Sequence, residues 1–268
     1  MPRVISGDAE IAYQTLGSGS PIVLLHPFPA NHEFWLPIAE RLATHYQLIL
    51  PDLRGHGDSE IGEGPATMDK HAADVAKVCH DAGVGRGIFA GVSIGGYTLF
   101  EFWRKFRERV SALILCNTKA QADTAEARAA RLKSAEDVLK SGPEQFIESM
   151  IPKLIGATTR ETRPDLVERA RNMMKKMSAE DISQVQQGMA VRADSVATLK
   201  TINVPTLVVA GDEDGLTPVT DAELMRQNLA KCELRVLNHA GHYGVFEQNK
   251  AAATVMQEFL GSLRIGKA

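Results

Sequence analysis

Six short apolar runs recur along this chain, and stretches with a helical pattern lie between most of them. The runs are Pro21–Leu25, Tyr46–Leu50, Gly87–Val92, Ser111–Cys116, Pro205–Ala210 and Cys232–Leu237. Most are continuously apolar rather than alternating in polarity, as strands buried on both faces must be. The helix-like segments are Phe34–Thr44, Met68–Ala82, Tyr97–Arg107, Asp221–Leu229 and Lys250–Leu263. Strand and helix in alternation predict an α/β fold, a doubly wound and mostly parallel sheet covered by helices. Arg3 to Gln14 reads as a short antiparallel pair at the sheet edge.

One stretch breaks this rhythm. From about Gln121 to Lys200 there is no convincing strand, and the composition, rich in Ala, Glu, Arg, Lys and Met, suits helices. Gly142-Pro143, Gly156 and Arg163-Pro164 divide it into about four pieces. The expected organisation is a core made of residues 1–120 and 201–268, with residues 121–200 inserted as a helical cap. A length of 268 residues fits one large α/β domain with an insertion.

Composition narrows the class. A hydrophobic content of 44% with 24% charged residues is that of an ordinary globular protein. The net charge of -3 gives no footprint for nucleic acid or an anionic membrane, so neither is expected as a partner. Cys79, Cys116 and Cys232 form neither a disulfide framework nor a metal-ligand spacing. Small buried residues in a reducing compartment fit them better. The N-terminus lacks the basic patch and apolar segment of a secretory signal, and no apolar stretch approaches the ~18 residues needed to span a bilayer. A cytoplasmic protein is expected.

The chemistry centres on Gly91-Val92-Ser93-Ile94-Gly95, a G-x-S-x-G pattern between an apolar run and a helix-like stretch. Such a turn is tight, and side chains at 91 or 95 would crowd the chain on either side of it. The pattern recurs by chance, and alone it is equally a glycine-rich turn with a capping serine. A serine nucleophile also needs a base, and the base usually needs an orienting carboxylate. Acids follow run 205–210 in Gly211-Asp212-Glu213-Asp214-Gly215, and histidines follow run 232–237 in His239-Ala240-Gly241-His242. The chain order is Ser, Asp, His.

With these motifs the sequence resembles the α/β-hydrolase superfamily over nearly its whole length. Leu25-His26-Pro27-Phe28-Pro29, Asp52-Leu53-Arg54-Gly55-His56-Gly57-Asp58-Ser59, Gly211-x-x-Asp214 followed by Pro218, and Ala240-Gly241-His242 add to the serine turn in the family's order. The resemblance implies Ser93 as nucleophile, Asp214 as acid and His242 as base. Asp212 and Glu213 read as loop or capping acids, with Asp212 the second choice for the acid, and His239 reads as supporting its loop by hydrogen bonding. The family's alternative acid position, after the strand before the cap, here reads Cys116-Asn117-Thr118 and holds no carboxylate. The oxyanion hole needs backbone N–H donors. Ile94, following the nucleophile, supplies one. The family usually has His-Gly in the early loop where this chain has His26-Pro27; proline cannot donate, which leaves Phe28 between Pro27 and Pro29. His26 and His56 are expected to tie loops together.

Trp35 and the methionines Met150, Met173, Met174, Met177 and Met189 are candidates for an apolar acyl pocket, although helix-spaced methionines also serve simply as core. No metal-ligand cluster, Rossmann or P-loop pattern occurs, so no cofactor or metal is expected. A serine rather than an aspartate at the turn separates the chain from haloalkane dehalogenases and epoxide hydrolases. The expected activity is hydrolysis of a small carboxylic ester or lactone through an acyl-enzyme. The overall pattern is similar to that of small esterases and 3-oxoadipate enol-lactonase-like enzymes. Cofactor-free haloperoxidases (perhydrolases), carbon–carbon bond hydrolases, hydroxynitrile lyases and slow-turnover binding or signalling proteins share the same three residues and stay open. The expected partner is a small-molecule ester or lactone, and the sequence carries no clear oligomerisation signal.

Overall fold

The computed structural model describes residues 1–263, so the last five residues of the expected 201–268 core segment lie outside the described residues. The chain opens with β1 (Arg3–Ser6), β2 (Ala9–Leu16) and β3 (Ser20–Leu25). A 3₁₀ turn at His32–Phe34 leads to α1 (Leu36–Leu42), β4 (Tyr46–Pro51), α2 (Met68–Asp81), β5 (Gly87–Val92), α3 (Ile94–Phe106) and β6 (Val110–Cys116). Six helices follow: α4 (Ala125–Ser141), α5 (Pro143–Leu154), α6 (Ala157–Thr162), α7 (Pro164–Met174), α8 (Ala179–Ala190) and α9 (Val196–Leu199). The chain then returns through β7 (Thr206–Gly211), α10 (Val219–Asn228), β8 (Cys232–Leu237), α11 (Gly244–Glu247) and α12 (Asn249–Ser262).

The eight strands form one sheet in the order β1-β2-β4-β3-β5-β6-β7-β8. β1 pairs antiparallel with β2, and β2 with β4; all other pairings are parallel. Alternate residues of each central strand enter opposite cores. Ile22, Leu24, Ile88, Ala90, Leu207 and Val209 join Ile38 and Leu42 of α1 and Met256 and Phe259 of α12. Val23, Leu25, Phe89, Val208 and Ala210 join Val75 of α2, Leu99 and Phe102 of α3 and Met225 of α10. Both faces are covered, which is why these strands read as unbroken apolar runs. Each fully buried Leu, Ile or Phe contributes roughly 1.5–3 kcal/mol to this arrangement.

The parallel strands end at one edge of the sheet, and the loops following β3, β5, β6, β7 and β8 gather there. α3 begins at Ile94, three residues before the expected Tyr97, because the turn at Ser93 runs into it with no linker. Between β6 and β7 the breaks at Gly142, Gly156 and Arg163 fall at helix boundaries. Two further breaks raise the number of pieces from about four to six. One is set by a capping box, in which Ser178 Oγ accepts from Asp181 N and Asp181 accepts from Ser178 N. The other lies between Ala190 and Val196. α4 packs along α8.

Candidate active site

Ser93 stands between the end of β5 and the start of α3 with φ 53° and ψ -113°, a conformation that costs a non-glycine residue strain. Its surroundings hold it there. Ser93 N donates to the carbonyls of Cys116 and Asn117, both at 3.1 Å. Thr118 Oγ1 donates to Ser93 O at 2.8 Å. Space explains the flanking glycines: a Cβ on Gly91 would lie 2.5 Å from the Gly95 carbonyl carbon, and one on Gly95 would lie 2.6 Å from Leu25 O. The hydroxyl-bearing residue is thus presented at the helix N-terminus.

The loops after β7 and β8 bring an acid and a histidine together. His242 Nδ1 lies 2.9 Å from Asp214 Oδ2. The same carboxylate accepts from Leu216 N and Thr217 N on Oδ1, at 2.8 and 3.0 Å, and from Thr217 Oγ1 and Asn117 Nδ2 on Oδ2, at 2.6 and 3.0 Å. Burial works to raise the Asp214 pKa. The His242 ring and the hydrogen bonds from His242, Thr217 and Asn117 outweigh it and hold the carboxyl well below its usual range. A charged Asp214 at Nδ1 fixes the tautomer in which Nε2 is free to accept a proton. Asp212 does something else: its Oδ1 accepts from Ala240 N at 3.2 Å and links the two loops. The His239 side chain is largely exposed, and its carbonyl accepts from Gln248 Nε2 at 2.9 Å.

Ser93 and His242 line one cavity of about 330 Å³, with Phe28, Met150 and Met189 also in its wall. Among the described residues neither Phe28 N nor Ile94 N has an acceptor, so both remain available for an oxyanion. Trp35 corrects an expectation. It is fully buried beside Phe34, with ring centroids 5.7 Å apart, in the core formed with α1, α7 and α12, and it does not reach the cavity. It stands just before α1, whose Ile38 and Leu42 belong to the same core. Met173, Met174 and Met177 are core residues as well. His26 Nε2 accepts from Leu53 N and its Nδ1 donates to Pro27 O, both at 2.9 Å, so it ties the β3 and β4 loops together. Burial, with His56 nearby, pushes His26 down to about 3. His56 Nδ1 donates to Arg54 O at 2.9 Å.

A family model described as the alpha/beta hydrolase fold matches residues 20–248. The chain belongs to the α/β-hydrolase family. A 3-oxoadipate enol-lactonase from Acinetobacter baylyi is 28% identical over 94% of this chain and 95% of its own. A putative carbamate hydrolase from Azorhizobium caulinodans is 29% identical over 90% of this chain and 91% of its own. Among solved structures, a thermophilic esterase from Thermogutta terrifontis, with malate bound, superposes with a TM-score of 0.94 at 35% identity, covering 97% of this chain and 98% of that one. The chain is an esterase- and enol-lactonase-like hydrolase of this fold.

Several supporting contacts of this hydrolase site are not legible in the sequence, which marks Glu213 only as a loop or capping acid. Asn117 and Thr217 complete the shell of Asp214, and Asn117 itself sits at φ 42°. Two glutamates fasten the inserted helices to the loops carrying Asp214 and His242. Glu213 accepts from Thr158 N at 2.9 Å and from the Thr158 hydroxyl. Glu247 accepts from Gly156 N at 2.9 Å and from Gly241 N at 3.0 Å, one residue before His242. Gly156 and Gly241 touch back to back; a Cβ on Gly241 would lie 2.2 Å from Gly156 N.

Proposed function

We propose that the protein is a serine hydrolase that opens a small carboxylic ester or lactone through an acyl-enzyme on Ser93. The observation that carries this reading is the His242–Asp214 pair, with its carboxylate fully hydrogen-bonded, in one cavity with a serine held at a strained turn. In this mechanism His242 Nε2 takes the hydroxyl proton as Ser93 Oγ bonds to the substrate carbonyl carbon. Charge develops on the carbonyl oxygen and is held by the Phe28 and Ile94 N–H groups. The carbon–oxygen bond to the alcohol then breaks, and the departing oxygen takes the proton from His242. From a lactone, that hydroxyl stays attached to the acyl chain. Water, losing a proton to His242, attacks the acyl-enzyme; the bond to Ser93 breaks, and Ser93 Oγ regains a proton from His242.

The cavity volume is near the lower end of the ~300–1,000 Å³ usual for ligand sites, which favours a small substrate. The names of the enol-lactonase and esterase relatives support the same class. Residues 121–200 would act as the cap over this cavity, since Met150 of α5 and Met189 of α8 stand in its wall. The test is turnover of p-nitrophenyl esters of increasing acyl length, and of an enol-lactone, by the protein and by Ser93→Ala. The reading expects turnover that the substitution abolishes with circular dichroism unchanged. Equal turnover by folded Ser93→Ala would overturn it.

A further inference from the structure

β8 ends the sheet on one side; among the described residues it pairs with β7 and with no other strand. Its outer edge is a row of backbone groups open to another chain. Alternation along the strand identifies them. Thr206 N donates to Lys231 O at 2.9 Å and Asp212 N to Leu237 O at 3.1 Å, so the odd-numbered residues of β8 turn their N–H and C=O toward β7. The N–H and C=O groups of Cys232, Leu234 and Val236 therefore point outward, past the edge. Arg235 Nη1 reaches one of them, Leu234 O, at 3.3 Å. β8 carries no proline, and its register with β7 runs without a bulge, so neither of these devices blunts the edge.

The side chains divide by face. Cys232 and Leu234 pack on the core that also holds Met225 of α10, and Val236, on the same face, is 42% exposed. On the opposite face Glu233 and Arg235 are both exposed, with Arg235 Nη2 3.0 Å from Glu233 Oε2. One face thus offers a short apolar row and the other an acid and a base two positions apart.

We propose that this edge is a self-association surface, on which β8 of a second copy of this chain lies antiparallel with Leu234 on the two-fold axis. In that register Leu234 meets Leu234 of the partner subunit, and Cys232 meets the partner's Val236. Outward-pointing residues then oppose one another and exchange both backbone hydrogen bonds. Glu233 meets the partner's Arg235, and Arg235 meets the partner's Glu233, as a two-fold contact requires. A slip of one residue sets outward-pointing residues against inward-pointing ones. A slip of two restores the backbone match but places Glu233 against the partner's Glu233, or Arg235 against the partner's Arg235, and like charges directly opposite are destabilising. Backbone alternation and charge complementarity therefore select the same register. The pairing also covers Val236 and joins the two sheets into one.

The test is sedimentation velocity over a concentration series. The parent is expected to show a dimer fraction that grows with concentration. Glu233→Arg and Arg235→Glu each turn both cross-strand pairs from attractive to repulsive, and each should raise the dimer Kd about tenfold or more. An equimolar mixture of these two variants should form a heterodimer with a Kd near the parent's, because one chain is then basic at both positions and the other acidic. Val236→Pro removes one outward N–H and leaves the bonds to β7 in place, so it should also weaken association with circular dichroism unchanged. If that variant does not fold, the charge variants, at exposed positions, decide the matter. A parent that stays monomeric up to about 1 mM overturns the proposal. So does association that both charge reversals leave unchanged, or a mixture that associates no better than either variant alone.

Discussion

Glu247 gives a stability test that depends on pH. The residue is 4% exposed, and its carboxyl accepts from the backbone of both Gly156 and Gly241 and links the inserted helices to the His242 loop. Burial pushes its pKa up from 4.5 to about 7, against the opposing effect of those hydrogen bonds. At about 1.4 kcal/mol per pH unit, the shift corresponds to roughly 3 kcal/mol. The sign follows from proton counts. Between these two values the folded chain holds a proton that the unfolded chain has lost. The group's contribution is therefore complete below pH 4.5 and is lost as pH rises through about 7.

Glu247→Gln removes this titration. It also turns an amide NH₂ toward one of the two backbone N–H groups, leaving it unsatisfied at a cost of about 1–3 kcal/mol. Urea unfolding of both proteins across this range should show the parent more stable at the acid end. The gap should narrow by about 3 kcal/mol toward about pH 8 and close or reverse there. A gap that stays constant with pH would mean that Glu247 folds as an ordinary ionised carboxylate, without the raised pKa that its burial imposes.

Further expectations concern the core and the cavity. Arg54 bridges buried Asp74 through Nε and Nη2 at 2.9 and 2.8 Å, so Arg54→Met strands that carboxylate. Stability should fall by about 3–5 kcal/mol in denaturant unfolding, and a loss below about 1 kcal/mol would contradict a buried pair. Trp35→Ala should cost about 3–5 kcal/mol in the same assay. It should leave the acyl-length profile of ester turnover where it was, whereas Met189→Ala should shift the optimum toward longer acyl chains. A profile that moves with Trp35 rather than Met189 would contradict the placement of both.

The sheet was legible because each central strand is covered on both faces, so its residues are apolar without alternation. Ile22 through Leu25 show this directly, dividing in turn between the two cores. Helix breaks were legible where Gly or Pro makes them, at Gly142 and Arg163-Pro164. The break at Ser178 depends on reciprocal capping bonds and carries neither residue. Serine, acid and histidine could be singled out because each follows a strand in a recognisable loop. Their supporting residues could not. Asn117 meets Asp214 across 97 positions, and Gly156 meets Glu247 across 91, contacts that exist only once the loops converge. Trp35 failed for a related reason: a loop residue near the site in sequence can face either the cavity or the sheet.

The proposed mechanism requires a covalent acyl group on Ser93. Intact-protein mass spectrometry on acid-quenched reactions with a p-nitrophenyl ester tests it most directly, with peptide mapping to locate the adduct. The expected result is a mass gain equal to the acyl group on the peptide carrying Ser93. The gain should appear with the first release of nitrophenol, decay as substrate is exhausted, and be absent from Ser93→Ala. Sustained turnover with the acyl group on another residue, or undiminished turnover by Ser93→Ala, would contradict it.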